Sequence, residues 1–193
     1  MSRIEPRKTW CNRKTRWFCR ALSDRRGVSA IEFAFIAPVL IALYVGAVQL
    51  GNALTINRRV YSVASTTADL AAQVKSVSTG DLQDITSAAS SILTPYSTAP
   101  LKIVVSSVVA DNNNIPKVDW SYATNGATPR AKNSGVTLPA GLTQANSSVI
   151  MAEVTYAFTP LLNLRGYFNP GPFTMGRTFY ERPRLSFTVK MTN

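Results

Sequence analysis

The sequence has no histidine, only two cysteines, and charged residues at just 16% of its 193 positions. Without histidine, the commonest general base and the commonest metal ligand are both missing. The two thiols, Cys11 and Cys19, have no second pair elsewhere to complete a zinc set, so no metal site or redox centre is expected. Neither a GxSxG elbow nor a phosphate-binding P-loop is present, which leaves nucleophile and nucleotide chemistry without support. Asp81 and Asp84 lie one helical turn apart, but carboxylates at a helix start more often offset the macrodipole than transfer protons. The expectation is therefore a non-enzyme without a cofactor. A charged share this far below the roughly 25% of a soluble domain implies that part of the chain does not face water.

What charge there is lies unevenly. The net charge is +11, and residues 1–26 hold nine Lys/Arg against Glu5 and Asp24, so +7 of the excess sits in that short stretch. A basic block just ahead of a long apolar run is explained better by membrane topology than by phosphate binding, and no nucleic-acid partner is expected.

The apolar run spans residues 28–50, VSAIEFAFIAPVLIALYVGAVQL, with Ser29, Glu32 and Gln49 as its only strongly polar members. As a helix it would rise about 34 Å, enough to cross a hydrocarbon core of roughly 30 Å. The basic flank predicts an N-terminus left in the cytoplasm and a C-terminal part in the periplasm of a single-pass inner-membrane protein. The run continues through Leu54 without a small-residue cleavage site, unlike a secretory signal. Glu32 stands out, because an unpaired carboxylate in a bilayer costs on the order of several kcal/mol. No Lys or Arg lies in the span. A cut after Gly27 would create an amine on Val28, which is positive at neutral pH and one helical turn (i,i+4) from Glu32.

The ordered set of Arg25, Arg26, Gly27, then Val28 through Glu32 and Phe33, resembles the processing site of type IV-like prepilins. It is most similar to TadE/TadG-type pseudopilins of the tight-adherence (Flp) pilus system, in the context Ala30-Ile31-Glu32-Phe33. The resemblance implies that a membrane prepilin peptidase cuts after Gly27, that Phe33 belongs to the recognised motif, and that Glu32 serves processing or, with Val28, subunit register. It also implies that Pro38 bends the helix. Tyr156 to Leu161 and Arg182-Pro183-Arg184 echo C-terminal features of the same family. The implied partners are the bilayer, the peptidase, other pilin or pseudopilin subunits and inner-membrane pilus assembly proteins. The implied role is pilus biogenesis, adhesion and surface attachment. An uncleaved single-pass protein with a periplasmic ligand- or partner-binding domain is the alternative.

Beyond the span, apolar positions recur at three- and four-residue steps from Leu54 to Val74, predicting a helix that continues to about Val77. Residues 81–92 predict a short helix ended by Pro95. Four runs then read as strands: 101–109, 118–123, 149–158 and 185–191. The fold class expected is α+β, a long pilin-like N-terminal helix followed by a short helix and an antiparallel sheet of about four strands. The domain plan is a leader (1–27), a transmembrane helix (28–54), its periplasmic continuation (55–77) and a small α+β domain (78–193). Two long connections, 125–148 and 163–178, are expected between strands. The second carries Tyr167, Phe168 and Phe173, a candidate partner-facing patch.

Overall fold

The computed structural model describes residues 26–160 and 171–192, with side chains described from Val28 onward. The chain divides into two compact units, one ending at Val48 and one beginning at Gln49. A single helix, α1 (Arg26–Ala72), runs through both. It is followed by β1 (Ser76–Val77), α2 (Thr79–Ser90), a 3-10 turn (Ser91–Leu93), β2 (Leu101–Ala110), β3 (Pro116–Ala123), β4 (Ser148–Phe158), β5 (Phe173–Glu181) and β6 (Lys190–Met191). The α+β class with a four-stranded antiparallel sheet is borne out, in the order β3-β2-β4-β5.

In the second unit the core forms between one stripe of α1 and one face of the sheet. Ala53, Ile56, Val60, Val63, Ala64, Ala71 and Ala72 repeat at helical spacing, so they share one side of α1, and all are buried. Opposed cross-strand neighbours supply the other half: Leu101 pairs with Tyr156, Ile103 with Val154, and Tyr156 with Met175. These belong to the same buried cluster as the α1 stripe. Trp120 joins it from β3, and its indole N–H donates to the Val189 carbonyl at 2.8 Å. A buried indole needs such a partner.

Polar side chains fix the ends. Ser78 caps α2 by accepting from the Asp81 amide at 3.1 Å, while the Asp81 carboxylate accepts from the Ser78 amide at 2.9 Å. This reciprocal box bears out the reading of Asp81 as a helix-start residue, and its hydrogen bonds with Ser78, the backbone one foremost, hold the carboxyl below the usual range. At the other end of that helical stretch, Arg59 of α1 donates to the Ile92 carbonyl at 2.6 Å and to the Thr94 carbonyl, with its guanidinium 5.7 Å from the Tyr96 ring centre. Carbonyls left over where the helix stops thus find a cationic donor.

Two expectations are corrected. The amphipathic helix ends at Ala72 rather than near Val77, and Ser76–Val77 instead pairs in parallel with Lys190–Met191. The carbonyls of Ala72, Lys75 and Val77 accept from the amides of Arg184, Lys190 and Thr192, so the C-terminal segment takes backbone bonds that a longer helix would have used. The fourth strand of the sheet is Phe173–Glu181, which begins inside the region read as a loop and runs past its end, and not 185–191. In that strand Met175 alone is buried, in the core cluster, while Phe173, Thr174, Gly176, Arg177 and Thr178 are exposed, as befits a strand at the sheet edge. In 185–191, Leu185 and Phe187 are exposed, and only Lys190–Met191 is strand. The long connection expected over 125–148 is present between β3 and β4, and within it Asn133 and Ser134 exchange backbone bonds with Val118 along the β3 edge. Arg130 makes a two-pronged ion pair with Glu153 of β4 at 2.7 and 2.8 Å.

Candidate membrane anchor and processing site

The first unit contains, among its described residues, only the opening part of α1. Eleven large apolar side chains stand on residues 28–48, each 46–76% exposed: Val28, Ile31, Phe33, Phe35, Ile36, Val39, Leu40, Ile41, Leu43, Tyr44 and Val48. Burying one such side chain is worth roughly 1.5–3 kcal/mol, so a bare rod of this kind is strongly disfavoured in water. Length and composition fit a membrane span, with a mean hydropathy of 2.2 over the best 18-residue stretch and none of that stretch buried.

Glu32 is exposed on this rod, one helical turn from Val28, with Phe33 beside it also exposed. Gly27 lies within α1, and α1 stays helical through Pro38. The anticipated grouping of Gly27, Val28, Glu32 and Phe33 therefore falls on one continuous helix, and Val28 and Glu32 fall on one face of it. Of the anticipated aromatic patch, Tyr167 and Phe168 lie outside the described residues. Phe173 opens β5 with its ring 5.1 Å from that of Phe158, so it is partly held by its own sheet. Among the described residues no cluster of His, Cys, Asp or Glu could hold a metal ion.

Residues 27–69 match the family model of TadE-like proteins. The N-terminal helix is TadE-like. The TadE-like segment starts at Gly27, covers the exposed apolar rod, and ends three residues before α1 does. None of the sheet falls within it. No curated protein and no solved structure gives a significant match to the chain. A TadE-like segment on an apolar helix of this length suggests a membrane anchor and a Tad pilus-associated, pilin-like protein.

Two polar side chains that the sequence reading passed over turn out to be buried. In the sequence Gln49 stands out only as a polar interruption of the apolar run, and Tyr156 only as part of a strand and of the family-like stretch Tyr156 to Leu161. Both line one cavity of the second unit, and burial pushes the Tyr156 phenol above its usual range. The available signal was Gln49 itself, an amide directly after 16 residues without a strongly polar side chain.

Proposed function

We propose that the chain is a pseudopilin or minor pilin of a Tad/Flp pilus system, held in the inner membrane by α1 and matured by a prepilin peptidase. It acts in pilus biogenesis and surface attachment; it is the substrate of an enzyme and not itself one. The observation that carries this reading is the lone carboxylate of Glu32 on an otherwise apolar, unburied helix, one turn after Val28 and preceded by Gly27 and a basic block. In this reading the block keeps the N-terminus cytoplasmic and the sheet domain periplasmic.

Cleavage after Gly27 gives Val28 a charged amine. That amine meets the Glu32 carboxylate either within the same helix or on a neighbouring subunit, where the pair sets axial register. In both cases the cost of an isolated charge in hydrocarbon falls. The exposed apolar side chains then pack against lipid first and similar helices later.

Intact mass and N-terminal sequencing of the chain purified from a host with and without the peptidase test the reading. The expected result is loss of residues 1–27 only when the peptidase is present. Retention of the full N-terminus in both hosts would favour an uncleaved single-pass protein with a ligand- or partner-binding domain. Replacing Glu32→Ala is expected to abolish maturation or fibre production, and normal levels of both would overturn the role assigned to that carboxylate.

A further inference from the structure

A cavity of about 390 Å³ in the second unit combines an apolar wall with unpaired polar groups. Gln49 is 9% exposed and its side-chain NH₂ is buried with no hydrogen-bond partner. Tyr156 is 5% exposed and its side chain lines the same cavity. Asn52 uses its carbonyl oxygen to accept from the Tyr96 hydroxyl at 3.4 Å, which leaves its NH₂ available. Ile56 and Phe158 supply apolar wall. A buried amide without a partner is unusual and costly, and here two donors lie beside the same space.

Among the described residues the lining carries no charged side chain. Arg59, over the Tyr96 ring, already gives its guanidinium to the carbonyls of Ile92 and Thr94. The matching ligand is therefore neutral where it enters, rich in acceptors, and attached to something apolar. Chain connectivity sets the depth at which it is met. Gln49 directly follows the 21 residues 28–48 in one continuous helix, and those residues rise about 31 Å, the thickness of a hydrocarbon core. Position 49 thus falls at the level of the glycerol esters, where tyrosines also concentrate.

We infer that this cavity binds a membrane phospholipid through its ester carbonyls, which accept hydrogen bonds from Gln49, Asn52 and Tyr156. The inference rests on the membrane-anchor reading. The bound lipid satisfies the donors that the protein leaves open and fixes the domain at the bilayer surface without selecting a head group.

The full chain, reconstituted in vesicles of 1-palmitoyl-2-oleoyl phosphatidylglycerol and phosphatidylethanolamine and released into mild detergent, is assayed for retained lipid by native mass spectrometry. One retained lipid per chain is expected. Diether analogues, which lack the carbonyls, should be retained about fivefold less, the loss expected when hydrogen bonds go unmade. Gln49→Leu and Tyr156→Phe should each lower retention of the diester lipid, with folding verified by circular dichroism. Equal retention of diester and diether lipids by the unaltered chain would overturn the inference, as would undiminished retention by the double variant. Alkaline washing of the membranes separates the two levels of failure. A chain that stays in the pellet but keeps no lipid refutes the lipid site alone, whereas a chain released to the supernatant refutes the anchor and the lipid site together.

Discussion

One helix, α1, carries two apolar segments that differ in where their side chains go. On 28–48 the large apolar residues lie all around the helix and are exposed, whereas on 53–72 a stripe from Ala53 to Ala72 is buried, with Leu54 and Tyr61 left exposed outside it. Tertiary structure accounts for the second segment, because the sheet supplies the matching surface. The first segment is exposed among the described residues and has the length and composition of a membrane span. Distribution around the helix, rather than apolar content, tells the two environments apart.

This contrast is broken most severely from the domain side. Trp120→Ala removes a buried ring and its bond to Val189, and should destabilise the sheet domain by about 3–5 kcal/mol. Thermal or urea unfolding followed by tryptophan-independent circular dichroism measures it, and membrane retention of the anchor should be unchanged. The converse change, Leu40→Arg near the middle of the span, should cost about 2.5–3.5 kcal/mol of membrane insertion while leaving the domain's melting temperature where it was. Alkaline extraction reads the first quantity and calorimetry the second. If Leu40→Arg instead melted the domain, the rod would be packed within its own protein and the contrast would be lost.

How far the sequence foretold this arrangement depends on how local the deciding force is. The long apolar helix was legible, since hydropathy needs no knowledge of the rest of the fold. So were α2 and three strands, whose periodicities agree with their final burial. The misplaced fourth strand shows the limit. The stretch 173–181 carries Gly176 and follows Pro170, Gly171 and Pro172, which mark a turn, while its pairing with β4 is a long-range choice. The same holds for the end of α1, where backbone bonds to residues more than a hundred positions away replace the last helical turn. Gln49 and Tyr156 were hidden for a related reason. Burial, and for Gln49 an amide left without a partner among the described residues, is a property of the finished packing, and residue type alone does not announce it.

Smaller perturbations sharpen the contrast by acting at the domain surface alone. Ser78→Ala removes the cap of α2 and should cost about 1 kcal/mol of domain stability, with no change in membrane retention. A drop of several degrees in the domain's melting temperature is the expected reading. No change would mean that water replaces the cap without loss.

The mildest test is acid. Asp81 accepts from Ser78, and Asp111 accepts from the amides of Ile115 and Asn113 at the β2–β3 connection. Both carboxyls are held below their usual range, Asp111 chiefly by its bond from Ile115. A carboxyl whose folded value is depressed stabilises the fold in full above its unfolded value near 3.9, and that contribution is lost as pH falls through the lower, folded value. The domain should therefore soften progressively below about pH 4, and Asp81→Asn with Asp111→Asn should flatten that slope while lowering stability at neutral pH. The two groups sit in the second unit, so anchor retention should not follow the same curve. A retention curve that titrates with domain stability would show that the apolar rod depends on the fold of the sheet after all, and the two apolar segments of α1 would no longer answer to separate surroundings.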